Sequence, residues 1–216
     1  MRIALIDYGA GNLHSAQKGL MRALDDIGVA GSVEVTSDAE RVRTADRIVL
    51  PGDGAFRDCR ENLAGVSGLV EALDEAVRRR GRPFFGICVG MQLLAEVGEE
   101  HGETPGLGWL KGHVRHLAPD DGRLKVPHMG WNNVIGLKPH PVLDGLRLGP
   151  DGLHAFFLHA YHFVAADAAD VLAVAEYGGA VTAAVARDTV FGTQFHPEKS
   201  QNLGRALFAN FLRWTP

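Results

Sequence analysis

The hydrophobic pattern of the chain changes character near residue 98. Before it, short apolar runs alternate with stretches of helical period. After it, apolar residues fall in short segments separated by tight turns. Arg2–Tyr8 reads as a buried strand closed by the turn Gly9-Ala10-Gly11-Asn12. Leu13, Ala16, Leu20, Leu24 and Ile27 recur at helical spacing, with Gly28 as the stop. Val33–Thr36 and Asp46–Leu50 are the next strands, the second running into Pro51-Gly52-Asp53-Gly54. Ser67–Gly81 carries a helix signature: Ser67 as cap, an apolar stripe through Leu69, Val70, Leu73, Ala76 and Val77, and Gly81 and Pro83 at the end. An apolar run then ends in Gly86-Ile87-Cys88-Val89-Gly90, with a helix-like segment over Met91–Val97.

Strand, helix, strand, strand, helix, strand, helix is the order of an open α/β sheet with parallel strands. In such sheets ligands bind beyond the carboxyl ends of strands. Both Pro51–Gly54 and Cys88 fall there. In the second half Gly98–Gly106 is acidic and turn-like. His113–Leu117, Val126–Val134, His154–Val164, Val171–Tyr177, Val181–Ala186 and Val190–Phe195 predict antiparallel additions to the sheet, and Leu203, Leu207, Phe211 and Trp214 a closing helix. No repeat, low-complexity segment or linker interrupts residues 1–216, which predicts one domain.

Composition narrows the partners. A hydrophobic fraction of 46%, a charged fraction of 22% and a formal charge of −4 describe a globular chain without a basic surface for nucleic acid or membrane. Two cysteines, Cys59 and Cys88, make no disulfide framework, and with no signal peptide or spanning segment a cytoplasmic protein is expected.

Glycines at i−2 and i+2 of Cys88 permit a sharp strand-to-helix turn with a nucleophile at its apex. A buried structural cysteine fits the same residues. Gly9-x-Gly11 lacks the third glycine of a dinucleotide fingerprint, because position 14 is histidine. A nucleophilic cysteine needs a base and the base an orienting acceptor. Of ten histidines, His196 follows an apolar strand and has Glu198 two residues on, across Pro197. In extended backbone those two side chains share a face; a plain His-Pro-Glu turn is the alternative.

Gly86-Ile87-Cys88-Val89-Gly90-Met91-Gln92 together with Gln194-Phe195-His196-Pro197-Glu198 resembles the class I (triad) glutamine amidotransferases. Ile6-Asp7-Tyr8-Gly9-Ala10-Gly11-Asn12, Val126-Pro127-His128-Met129-Gly130-Trp131-Asn132 and Lys199-Ser200 narrow the likeness to the family of glutaminase subunits of imidazole glycerol-phosphate synthase. The resemblance implies a flavodoxin-like sheet with helices on both faces and no metal or cofactor. It makes Cys88 the nucleophile, His196 the general base and acid, and Glu198 its orienter. Val89 N–H and the loop of Gly52, Asp53 and Gly54 become the oxyanion donors, and Gln92, Ala160 and Tyr161 hold the amino-acid end of glutamine. Asn12, Trp131 and Lys199 fall at the interface with a (β/α)8 cyclase subunit, in a heterodimer that uses the released ammonia in histidine biosynthesis. Trp131 read alone fits the core equally.

Three positions depart from the family pattern. Asp53 stands where valine is frequent, Val89 where leucine is usual, and Ala160 where serine is common. Other amidotransferase subunits or a γ-glutamyl hydrolase share the elbow, and a catalytically dead binding module could keep the fold.

Overall fold

Apolar β-rich runs that cannot tolerate water on either side become central strands, and the first half of the chain obeys this. A computed structural model describes Met1–Pro216. Its elements run β1 (Arg2–Ile6), α1 (Leu13–Ile27), β2 (Ser32–Thr36), α2 (Ala39–Thr44), β3 (Arg47–Leu50), α3 (Phe56–Gly65), α4 (Leu69–Leu73), β4 (Phe84–Ile87) and α5 (Val89–Gln92). Then follow β5 (Val97–Gly98), β6 (Thr104–Pro105), β7 (Gly112–His116), β8 (His128–Asn133), β9 (Ile135–Gly136), β10 (His154–His159), β11 (Tyr161–Ala165), β12 (Val171–Glu176), β13 (Ala180–Arg187), β14 (Val190–Thr193) and α6 (Gln201–Arg213).

The main sheet has the order β2-β1-β3-β4-β14-β13-β12-β9. Strands β2, β1, β3, β4 and β14 pair in parallel, and β13, β12 and β9 extend the sheet antiparallel. Every residue of β3 and β4 is buried, so both faces at the sheet centre are covered. Phe85 of β4 meets Phe191 of β14 at 4.9 Å and Phe211 of α6 at 5.2 Å between ring centroids, which seats the closing helix under the strand that leads to Cys88. The N-terminal helix behaves as its pattern predicts: Asn12 accepts from Ser15 N–H at its start, and Gly28 ends it at φ +65°.

Several expectations need correction. Two further strand groups do not join the main sheet: the ribbon β8–β10, and β11-β7-β5-β6. The run His154–Val164 is therefore two strands in different sheets, broken at Ala160. The turn-like Gly98–Gly106 includes the short strand β6. Helix Ser67–Gly81 begins at Leu69 with Gly68, φ +72°, at its N-cap; Ser67 makes no cap, and Asp74–Arg79 winds as a π-helix. The segment after Cys88 is one helical turn. Its following carbonyls are taken by another stretch instead: Leu93 O accepts from Leu107 N–H, and Leu94 O from the N–H groups of Trp109 and Leu110. The short helices α2 and α3 were not signalled by periodicity. No helix is long and apolar enough to cross a membrane.

Candidate active site

The elbow starts from steric necessity. Cys88 sits at φ +55°, ψ −112°, a conformation L-residues avoid and active sites retain. A Cβ on Gly90 would lie 1.9 Å from the Leu50 carbonyl oxygen, and one on Gly86 would lie 2.5 Å from the Gly90 oxygen, so both flanking glycines are required. The Cys88 N–H donates to the Thr193 carbonyl at 2.8 Å, tying the elbow to the end of β14.

That tie carries the second motif. Shortly past β14, His196 donates its backbone N–H to the Phe156 carbonyl. Its Nδ1 bonds Glu198 Oε1 at 2.8 Å, and both side chains are almost fully buried. The contact forms in a 3-10 turn, Pro197–Lys199, and not across extended backbone. With Nδ1 held by the carboxylate, Nε2 is left to face the thiol. Burial pulls the imidazole toward neutrality, but Cys88 and Glu198 outweigh it and hold its pKa at about 10.

Cys88 and His196 line one cavity of about 260 Å³. Asp53, Gly54, Val89, Gln92, Ala160, Tyr161 and Lys199 also line it. Gly52 does not; it packs beneath, where a Cβ would come 2.7 Å from Gly90 N. The loop it belongs to is latched three ways. Tyr8 Oη donates to the Pro51 carbonyl (2.7 Å), Cys59 Sγ to the Asp53 carbonyl (3.1 Å), and Gly11 N–H to Asp53 Oδ1 (2.8 Å). The Asp53 carboxylate is thus engaged by the Gly9–Asn12 turn. Burial pushes the Cys59 thiol up to about 11.

Gln92 bonds the Tyr161 carbonyl (2.9 Å) and Gln194 Oε1 (3.1 Å) through its Nε2. Its own carbonyl oxygen is left for a ligand, an acceptor suited to an ammonium group. Gln194 Nε2 in turn donates to Cys88 Sγ at 3.6 Å. Ala160 offers no hydroxyl; its carbonyl accepts from Leu117 N–H.

Sequence reading passed over four polar residues here. Gln194 touches the sulfur. His159 lines the cavity, as does Glu100, which also accepts from Phe56 N–H. Ser200 donates to the His196 carbonyl (2.6 Å) and accepts from Phe156 N–H (3.0 Å). Gln194 and Ser200 lie inside the quoted stretches, so their placement on either side of His196, one just after a strand and one just before the closing helix, was the available signal.

Of the three proposed interface residues, Trp131 and Lys199 come together: Trp131 packs edge-on against Phe156, and Lys199 Nζ lies over that ring at 5.6 Å. Trp131 is 48% exposed, which removes the core alternative. In the β8–β10 ribbon Trp131 pairs with Phe156 and Met129 with Leu158. These four form an outward apolar strip, with Met129 69% exposed. Asn12 caps the N-terminal helix.

The sequence model of the family described as glutamine amidotransferase class-I matches residues 4–214. Imidazole glycerol phosphate synthase subunit HisH of Brucella suis biovar 1 is 56% identical over 216 residues, 100% of both chains. The protein of the same name from Bradyrhizobium diazoefficiens is 59% identical over the same full length. Among solved structures, PurLQS from Thermotoga maritima has a TM-score of 0.68 at 21% identity, covering 98% of this chain and 97% of that one. A glutamine amidotransferase from Thermotoga maritima has a TM-score of 0.65 at 15% identity, covering 99% and 96%.

Proposed function

Because this chain belongs to the class-I glutamine amidotransferase family, we propose that residues 1–216 form one glutaminase domain serving as a subunit of an imidazole glycerol phosphate synthase. The full-length relatives carry that name. The single observation that carries the chemistry is Cys88 and His196 at one cavity, with Nδ1 of the histidine held from behind by the Glu198 carboxylate.

The Cys88 thiolate attacks the side-chain amide carbon of glutamine. The resulting oxyanion is met by Val89 N–H and by the Gly52–Gly54 loop; one such donor is worth about 3–4 kcal/mol in comparable sites. His196 protonates the departing ammonia, and water then hydrolyses the glutamyl thioester. Gln92 and the backbone at Ala160–Tyr161 hold the amino-acid end.

Ammonia is mostly protonated in neutral water and loses its nucleophilicity. A cyclase docked over the apolar strip of Met129, Trp131, Phe156 and Leu158, beside Lys199, receives it before that happens and forms imidazole glycerol phosphate and an aminoimidazole carboxamide ribotide. Two free cysteines and a biosynthetic role support a cytoplasmic setting. The test is Cys88→Ala in the complex with the cyclase. Glutamine-dependent turnover is expected to vanish while ammonium-supported turnover survives; loss of both overturns the reading.

A further inference from the structure

Two buried histidines have no part in the chemistry above, yet His159, which lines the substrate pocket, and His128 beyond it stand in one unbroken line of hydrogen bonds. The line begins at Asn132, whose orientation the backbone dictates. Its Oδ1 accepts from Asn133 N–H (2.8 Å) and its Nδ2 donates to the Glu176 carbonyl (2.9 Å). Asn132 Nδ2 also meets His128 Nε2 at 3.3 Å, so that nitrogen is an acceptor. His128 therefore carries its proton on Nδ1, which faces His159 Nε2 at 3.2 Å. His159 Nε2 is then also an acceptor, and its proton sits on Nδ1, 2.9 Å from the Tyr161 carbonyl. That carbonyl can only accept.

The two ends thus demand the same tautomers independently, with every donor meeting an acceptor. Tyr161 O also accepts from Gln92, whose Nε2 reaches Gln194 and through it the Cys88 sulfur. The His128 ring is held by stacking against Tyr177 (3.9 Å) and Phe157 (4.6 Å). Burial lowers both imidazoles, His128 to about 4 and His159 to about 3, so both are neutral at physiological pH.

We infer that His128 and His159 are positioning residues, a one-way relay of neutral imidazoles that fixes the Tyr161 carbonyl and the Gln92 amide for binding glutamine. Protonating or flipping either ring would set two donors against each other and free that carbonyl to turn. The inference rests on the reading of this cavity as the glutamine site.

The test has two arms in the complex with the cyclase. Ring-15N histidine NMR of the unmodified chain is expected to show two neutral, Nδ1-protonated imidazoles between pH 6 and 8, one lost in His128→Gln and one in His159→Asn. Nε2 protonation or titration of either ring in that range overturns the relay, whether or not any variant folds. Kinetically, His159→Phe is expected to raise KM for glutamine roughly tenfold, the scale of one lost buried hydrogen bond, with kcat changed far less. His159→Asn, whose amide N–H can replace Nδ1–H toward Tyr161, is expected to recover most of the loss. An unchanged KM in the first variant, or no recovery in the second, overturns the relay. A wild-type complex that fails to hydrolyse glutamine overturns the functional reading instead, and the NMR arm still judges the tautomers.

Discussion

The two walls of the pocket use the same side chain to opposite ends. On the sheet wall, His196 stands at the end of β14 between a thiol and a carboxylate, and its pKa is held near 10. On the ribbon wall, His128 and His159 are as enclosed but have only neutral neighbours in contact, and burial drives them to about 4 and about 3. Burial opposes the charged form in all three. What decides the outcome is whether a counter-charge is within bonding reach. One wall is thereby built to carry charge and the other to carry direction.

The largest effect is expected where the counter-charge is removed. Glu198→Gln keeps the size of the side chain and deletes its charge. A fall in kcat of about 10²–10⁴ is expected, by analogy with neutralised triad carboxylates, along with a drop in the His196 pKa measurable by NMR titration. An unchanged pKa would mean the two walls do not differ for the reason given. Next comes Ser200, which joins the walls by donating to the His196 carbonyl and accepting from Phe156 N–H. Ser200→Ala leaves that buried N–H unpaired and is expected to cost about 1–3 kcal/mol in denaturant unfolding.

The dependence of stability on pH sharpens the contrast further. His128 and His159 titrate below their ordinary value when folded, so the unfolded chain takes up protons first. Their contribution is present above about pH 6.5 and is lost as pH falls from there toward about 3. His196 is raised, so its contribution is full below about 6.5 and is lost as pH rises through about 10. Scanning calorimetry is expected to show a plateau near neutrality falling on both sides, each kcal/mol lost appearing as about 2–4 °C in Tm. His159→Phe should flatten only the acid side. The smallest effect is at the rim: Asp53→Ala removes one accepted bond from Gly11 N–H and is expected to cost about 1 kcal/mol or less.

Most of the sheet wall was legible in the sequence, because its constraints are local. The flanking glycines of Cys88, the apolar runs of β1, β3 and β4, and the period of α1 each state their own conformation. The His196–Glu198 contact was legible as a pair but not in its backbone, since a 3-10 turn and an extended segment both bring i and i+2 within reach. The strands of the ribbon wall were legible, but not the pairing of its inward histidines. Its outward residues Met129, Trp131 and Leu158 are apolar, and its inward side mixes the apolar Ala155 and Phe157 with the polar His128 and His159, so no clean apolar-in, polar-out alternation marks the buried face. Only pairing across β8 and β10 shows that the two inward histidines satisfy each other. Helices α2 and α3 escaped because their buried residues are few: one in α2, and Phe56, Cys59 and Leu63 in α3.

The latch on the Pro51–Gly54 loop makes its two neighbouring thiols distinguishable. Cys59 spends its S–H on the Asp53 carbonyl from a closed interior, whereas Cys88 opens to the cavity. A disulfide reagent should therefore count one thiol in the native protein and two after denaturation. The slow appearance of the second under native conditions would then time the loosening of that loop.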